Sequence, residues 1–375
     1  MKNLYFDNAA TTRIDERVLE TMLPYLKESY GNPSSAHGMG RTGRLAVETS
    51  RRKIASILNC HPNSIVFTSC GTESANMALR CAVTGVRLSH VVTSRTEHAC
   101  VLQTARNLHF SGKASLSYVA INDQGTAQLT DLNELLEKSH GRSMVALMHA
   151  NNETGTPLNM ALAGEICRRH KAIFFSDCVQ TVGHYPIDLS QMPVDMISAS
   201  AHKFHGPKGI GFLYIREGLP LQALLTGGSH ERNMRAGTEN VASIVGMAIA
   251  LEIAARNYAE DSKHTRQLKL ALKEKLIEAG AVVNGVDNDS ALYTVLNVRF
   301  PKTQATENLL LELDMAGVAV SGGSACSAGK GGSHVMEAIG ASDAINIRFS
   351  FSKYNTMEEV NRLGVLLEEL LTLQI

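Results

Sequence analysis

One stretch concentrates more chemistry than any other: Ser200-Ala201-His202-Lys203-Phe204-His205-Gly206-Pro207-Lys208-Gly209-Ile210-Gly211. A strand-like apolar run, Asp195–Ser200, leads into Lys203, and glycine and proline follow soon after. The pattern predicts a lysine ending a buried strand, on a fixed platform facing a pocket. Desolvation there lowers an ammonium's pKa and lets the amine form a Schiff base. The bland alternative is a surface lysine in a tight turn. Lys208 competes for the role, but it lies inside the glycine turn and is expected to face water.

Asp177 ends a second strand-like run, Ala172–Ser176, and Gln180 follows one helical turn later. Adjacent parallel strands present their C-terminal ends at one sheet edge, so Asp177 and Lys203 can meet there. A carboxylate opposite a pyridine nitrogen keeps that nitrogen protonated and the ring an electron sink. Helix N-capping is the competing role. In Ser69-Cys70-Gly71-Thr72-Glu73-Ser74 the turn around Gly71 opens a helix. Its backbone N–H groups and the Thr72 hydroxyl suit a phosphate, though turns use these residues everywhere. Ser200 and His202 could supply further phosphate contacts. His98 follows the run His90–Ser94, where an imidazole could stack on a cofactor ring and move protons near neutral pH. Asn152 follows another strand end and could bind a ring oxygen or a substrate carboxylate; plain turn chemistry competes.

Cys326 lies within Ser321–Ser333, which holds five glycines in thirteen residues. That composition predicts a mobile loop. Most free cysteines are buried and inert. Small flanking residues predict exposure for this one, and Lys330 would favour its thiolate. A thiol on a flexible tether suits transfer between distant positions. Arg348, in Asn346–Ser350, is a planar fork suited to a carboxylate, or else a surface strand arginine. The polar loop Gly227–Asn240 is rich in directed side chains, although solvated loops are the default.

Positioning these residues requires a sheet whose strand ends share an edge. Strand candidates Ser64–Thr68, His90–Ser94, Ser143–Ala150, Ala172–Ser176 and Asp195–Ser200 alternate with helical patterns at Thr42–Leu58, Ser74–Val83 and Ala161–His170. This is a βαβ texture and predicts an α/β large domain with a mostly parallel sheet. Ile210–Ile215 follows Lys203 too closely for a parallel crossover, so it is expected to run antiparallel. After a helical pattern at Tyr258–Ala279 the texture becomes α+β. Ala291–Phe300 reads as a strand, Thr306–Met315 as a helix closed by Gly317, and Val318–Ser321 as a short strand. Thr356 and Glu359 form a capping box opening a last helix that ends near Leu373. The expected division is a large domain at 15–257 and a smaller one built from 1–14 and 258–375, carrying the cysteine loop at about 321–333.

The whole-chain numbers narrow the partners. Thirty-six basic and 36 acidic residues leave no global field for nucleic acid or anionic lipid. The most apolar helical stretch, Ile244–Ala255, is short for a bilayer span and includes Glu252. The first dozen residues read as neither signal nor transit peptide. Seven scattered cysteines with no Cys-x-x-Cys pair argue against a disulfide framework or structural zinc, and fit a reducing cytoplasm.

Taken in order, Asp7-Asn8-Ala9-Ala10-Thr11-Thr12, Gly31-Asn32-Pro33-Ser34-Ser35, Gly71-Thr72-Glu73-Ser74, Thr96-Glu97-His98, Asn151-Asn152-Glu153, Asp177-Cys178-Val179-Gln180, Ser200-Ala201-His202-Lys203, Arg235-Ala236-Gly237-Thr238 and Gly323-Ser324-Ala325-Cys326 resemble the cysteine desulfurases (NifS/IscS-like) of the class V aminotransferase family. The resemblance runs along nearly the whole chain. It implies a type I aminotransferase fold with a seven-stranded sheet, and a homodimer with active sites at the subunit interface. It implies pyridoxal 5'-phosphate bound to Lys203, with Asp177 on the pyridinium nitrogen, Gln180 on the ring oxygen and His98 stacked on the ring. Gly71, Thr72, Ser200 and His202 would hold the phosphate, with Thr238 reaching over from the partner subunit. Arg348 and Asn152 would hold the carboxylate of L-cysteine. Lys203 would move the Cα proton, and Cys326 would take the substrate sulfur as a persulfide, releasing alanine.

The sulfur would pass to an acceptor or scaffold protein, for iron–sulfur cluster assembly or thiolation. From Cys326 to His334 the chain is about a residue shorter than in long-loop members of the family, and Lys330-Gly331-Gly332 replaces their acidic-proline texture. A selenocysteine lyase or other class V lyase or aminotransferase is the competing enzyme; a pure transaminase needs no thiol at Cys326. A non-catalytic sulfur-pathway scaffold would not need Lys203, Asp177, His98 and Cys326 together.

Overall fold

The computed structural model describes residues 3–322 and 332–372. From the N-terminus run β1 (Leu4–Tyr5), α1 (Glu16–Lys27), α2 (Gly38–Ile57), β2 (Ile65–Thr68), α3 (Gly71–Gly85), β3 (His90–Ser94) and α4 (Ala99–Phe110). Next come β4 (Ser115–Val119), α5 (Leu129–Glu137), β5 (Ser143–Ala146), α6 (Met160–Arg169), β6 (Ile173–Asp177), β7 (Met196–Ser200) and β8 (Gly211–Ile215). The C-terminal part holds α7 (Val241–Glu278), β9 (Val282–Val283), β10 (Val295–Phe300), α8 (Leu309–Met315), β11 (Val318–Ala319), α9 (His334–Ala338), β12 (Ile345–Ser350) and α10 (Met357–Thr372).

Strands β2 to β8 form one seven-stranded sheet in the order β2-β8-β7-β6-β5-β3-β4. All pairings are parallel except those of β8, which runs antiparallel to β2 and β7, as the short link after Lys203 requires. Both faces are covered, so consecutive strand residues enter different cores. Val92, Val145 and Phe174 pack on one side, and Val91, Met144 and Phe175 on the other. This is why β3, β5 and β6 read as continuous apolar runs. The edge strand β4 is half-exposed along most of its length and has no such run, so the sequence did not mark it.

The C-terminal part has its own core, in which Phe6, Val298, Phe349 and Leu363 pack together. There β12 and β9 flank β10 antiparallel, and β1 pairs with β11. The two helical patterns expected around residue 257 are one continuous helix of 38 residues, because no glycine or proline falls between Met247 and Glu278. Ile244, Met247 and Leu251 of α7 belong to a sheet core, whereas Leu268, Leu272 and Leu276, spaced four apart, belong to the C-terminal core. The expected boundary therefore falls inside a helix shared by both parts. Length alone does not set α7 apart from a membrane span; half of its apolar window is buried within the protein.

Candidate active site

The ends of β6 and β7, the N-terminus of α3 and the turns after β3 and β5 converge on a cavity of about 230 Å³. Lys203, Asp177, Gln180 and His98 line it, together with Gly71 and Thr72 at the start of α3. Asn152, Ser200, His202 and Arg348 complete that wall. Ten of the residues expected from the sequence are thus brought together from positions 71 to 348. Cys326 lies outside the described residues.

Strand β7 stops at Ser200, and Lys203 closes a single 3₁₀ turn, Ala201–Lys203, rather than ending the strand itself. The turn aims Lys203 back across the strand ends, where Nζ donates to the carbonyls of Ala9 (2.6 Å) and Ala10 (2.8 Å). Gln180 donates to the same Ala9 carbonyl at 3.1 Å. Behind the turn, half-buried His184 bonds through Nε2 to the Lys203 carbonyl at 3.0 Å. Lys208 is exposed, as its place in the turn predicted.

Asp177 pairs with Ser198 across β6 and β7 in parallel register. Its Oδ1 accepts from Ser198 Oγ and the Val179 amide, each at 3.0 Å. No helix follows it directly, so the helix-cap role does not apply; the carboxylate makes a local turn and still borders the cavity. His202 Nδ1 lies 3.1 Å from Thr11 Oγ1, and burial foremost pushes this imidazole down to about 4. Burial likewise lowers the pKa of His98, against the opposing pull of Asp177.

Arg348 is 1 % exposed, which excludes the surface-strand alternative. Its NH1 donates to the Asn152 carbonyl at 2.9 Å, and NH2 to Asp7 Oδ1 at 2.7 Å and Ser321 Oγ at 3.2 Å. Its third nitrogen, Nε, is buried without a partner. Asp7 was quoted in the sequence only as part of a motif. No local signal ties it to an arginine 341 residues away.

Two buried acids, each next in sequence to a residue lining the cavity, were also not singled out. Glu97 accepts from Ser94 Oγ and the Met148 amide, each at 3.0 Å, while its other oxygen has no partner. Burial pushes its carboxyl up to about 8. Glu153 Oε2 accepts from Ser333 Oγ at 2.5 Å, and Ser333 in turn caps α9. Acid residues beside His98 and Asn152 were visible, but nothing in the sequence says they point inward.

Thr238 does not reach this cavity. It borders a separate one of about 220 Å³ with Phe67, Ser69, Glu231 and Arg235. The loop carrying it is held by two ion pairs, one buried and one half-buried. Arg51 grips Glu231 with both nitrogens at 2.8 Å, and Glu231 also accepts from the Phe67 amide. Arg235 grips Glu73 in the first turn of α3 at 2.9 Å.

The residues fit pyridoxal phosphate on this structure's own terms. Ser200 Oγ is buried with no partner beside the start of a 15-residue helix. A Cβ at Gly71 would come within 2.6 Å of Val179 Cγ2, so only glycine leaves this approach to the α3 amides undisturbed. Arg348 Nε, a second unused polar group on the lining, is a donor suited to a carboxylate.

Residues 4–363 match the aminotransferase class-V family. A protein of Dictyoglomus turgidum named cysteine desulfurase IscS is 39% identical over 379 residues, covering 99% of this chain and 95% of that one. A Bacillus subtilis protein named putative cysteine desulfurase IscS 1 is 40% identical, covering 96% of each. Among solved structures, one titled NifS-like protein superposes with a TM-score of 0.92 at 38% identity, covering 99% of this chain and all of that one. Another, titled SspA in complex with cysteine, gives 0.81 at 31% identity, covering 94% of this chain and all of that one. By matched length and by fold, this chain belongs to the class-V aminotransferase family.

Proposed function

We propose that the protein is a pyridoxal-phosphate-dependent cysteine desulfurase that converts L-cysteine to L-alanine and passes the sulfur through Cys326 to an acceptor. The carrying observation is the convergence of Lys203, Asp177, His98 and Arg348 on one cavity, in a chain whose relatives are named cysteine desulfurases.

Lys203 would hold the cofactor covalently, Asp177 its ring nitrogen, Gln180 its ring oxygen, and Gly71, Thr72, Ser200 and His202 its phosphate. The bound cofactor supplies an electron sink for the carbon that loses its proton. Arg348 is preorganised for the substrate carboxylate: three hydrogen bonds fix its plane while Nε is unused. Asn152, whose carbonyl holds that plane, would share the carboxylate. Lys203, released as a free amine, would take the Cα proton at Nζ, and the carbonyls of Ala9 and Ala10, in the turn after β1, keep that atom in place. The Cys326 thiolate would attack the substrate sulfur, forming an S–S bond as the substrate Cβ–S bond breaks. The electron pair of the broken bond would stay with Cβ, which takes a proton to become the alanine methyl group, and Cys326 would keep the sulfur as a persulfide.

We further propose that the parts at 15–257 and at 1–14 with 258–375 act as two lobes. The protein would work as a cytoplasmic homodimer, with Thr238 serving the partner's site and a sulfur-acceptor or scaffold protein receiving the product. Incubating the purified holoprotein with L-cysteine and a thiol reductant tests the reading. Equimolar alanine and sulfide are expected; pyruvate with ammonia would instead mean a β-eliminating lyase.

A further inference from the structure

His98 caps α4, an unusual place for a histidine, since serine, threonine, aspartate and asparagine dominate N-caps. Its Nδ1 accepts the backbone N–H of Cys100 at 3.2 Å. A peptide N–H can only donate, so the ring nitrogen it points at carries no proton. The Cys100 sulfur lies 3.0 Å from the same Nδ1. Burial pushes this thiol far above its ordinary range, so it is S–H and not thiolate. A protonated thiol beside an unprotonated imidazole nitrogen is a second donor to it. The Thr72 side chain also hydrogen-bonds this sulfur, which links the start of α3 to the histidine.

The capping geometry recurs in this chain. His37 caps α2 through Nδ1 to the Gly40 amide, and His61 caps a short turn through Nδ1 to the Asn63 amide, both at 3.2 Å. Of the three, only the His98 cap is recorded with a thiol sharing the acceptor nitrogen.

We infer that Cys100 is a positioning residue: its amide and thiol together hold His98 as the neutral tautomer with the proton on Nε2. His98 then offers the reaction a hydrogen-bond donor at Nε2 and a flat ring. To act as a base it would have to take a second proton at Nδ1, breaking both contacts. The charges around it do not decide otherwise. Asp177 and Glu153 favour the imidazolium, Lys203 and His334 oppose it, and burial outweighs each of them. The Cα proton is therefore left to Lys203. This last step rests on the desulfurase reading; the tautomer rests on the two Cys100 contacts to Nδ1, its amide and its thiol.

The test is nitrogen NMR of protein labelled at histidine nitrogens, with and without cofactor, assigned through His98→Gln. The inference expects His98 to show an unprotonated Nδ1 and a protonated Nε2 from about pH 6 to 9, around the histidine range. Cys100→Ala is expected to mix the tautomers and lower kcat by about fivefold, the worth of one ordinary hydrogen bond, with KM unchanged. Cys100→Ser, which keeps a donor, is expected to restore the single tautomer. Thermal melting and visible cofactor absorbance establish that each variant is folded and loaded. A protonated Nδ1 in the parent protein, or an unchanged single tautomer in Cys100→Ala, overturns the inference. A parent protein with the expected tautomer that makes no alanine sinks the desulfurase reading and leaves the cap intact.

Discussion

Each polar side chain in the cavity does work that its neighbours define. Lys203 donates through Nζ to the carbonyls of Ala9 and Ala10, which fix that atom at the cavity. Lys203→Ala is expected to abolish alanine formation and the visible absorbance of lysine-bound cofactor, read on protein mixed with pyridoxal phosphate. Arg348→Ala removes a charged donor set from the proposed carboxylate subsite and should raise KM for L-cysteine by about a hundredfold, measured by steady-state kinetics. Arg348→Lys should recover little, because a point charge does not reproduce the fork. Glu97 gives a pH signature. Burial raises its carboxyl to about 8 in the folded protein, whereas an unfolded chain would show an ordinary carboxylic acid. The stability contributed by its neutral form is full below the ordinary glutamate range and is lost as pH rises through about 8. Glu97→Gln should therefore flatten the fall in melting temperature between about pH 5 and 8.

At the scale of elements, the parallel strand ends and the start of α3 do the positioning. The α3 amides are open to the cavity only because Gly71 lets Val179 approach. Gly71→Ala should displace that junction and weaken cofactor retention about tenfold, read by titrating apoprotein with pyridoxal phosphate. Much of this level was legible. Buried runs such as Ile173–Asp177 and Met196–Ser200 announce themselves by apolar continuity, and Thr356 and Glu359 make the reciprocal capping bonds their spacing promised. The half-exposed β4 and the unbroken α7 were not legible. An edge strand lacks a distinctive period, and a helix passing between two cores changes which face is buried along its length. The ends of α7 face different partners, so its stripes do not align into one pattern.

For the whole molecule, the residues that meet in the cavity come from opposite ends of the chain, and this decides what a sequence can disclose. Asp177 ends β6, while Lys203 and His98 lie in the short segments just after β7 and β3, so the sheet topology brings them to one edge. Asp7 and Arg348 meet because β1 and β12 share the C-terminal part of the fold, and only three-dimensional packing reveals that pair. Thr238 lies outside the Lys203 cavity, beside Arg235. If it completes a partner's site, the protein should sediment as a dimer, and a mixture of Thr238→Ala and Lys203→Ala subunits should regain activity in the heterodimers that carry one intact composite site. The measurement that bears most directly on the central proposal is a single turnover of holoprotein with L-cysteine and no reductant, followed by mass spectrometry of the peptide containing Cys326. The account predicts one alanine released per site and one added sulfur atom on Cys326. Alanine formed while Cys326 stays unmodified and no other persulfide decays from it, or full turnover by Cys326→Ser, would contradict it.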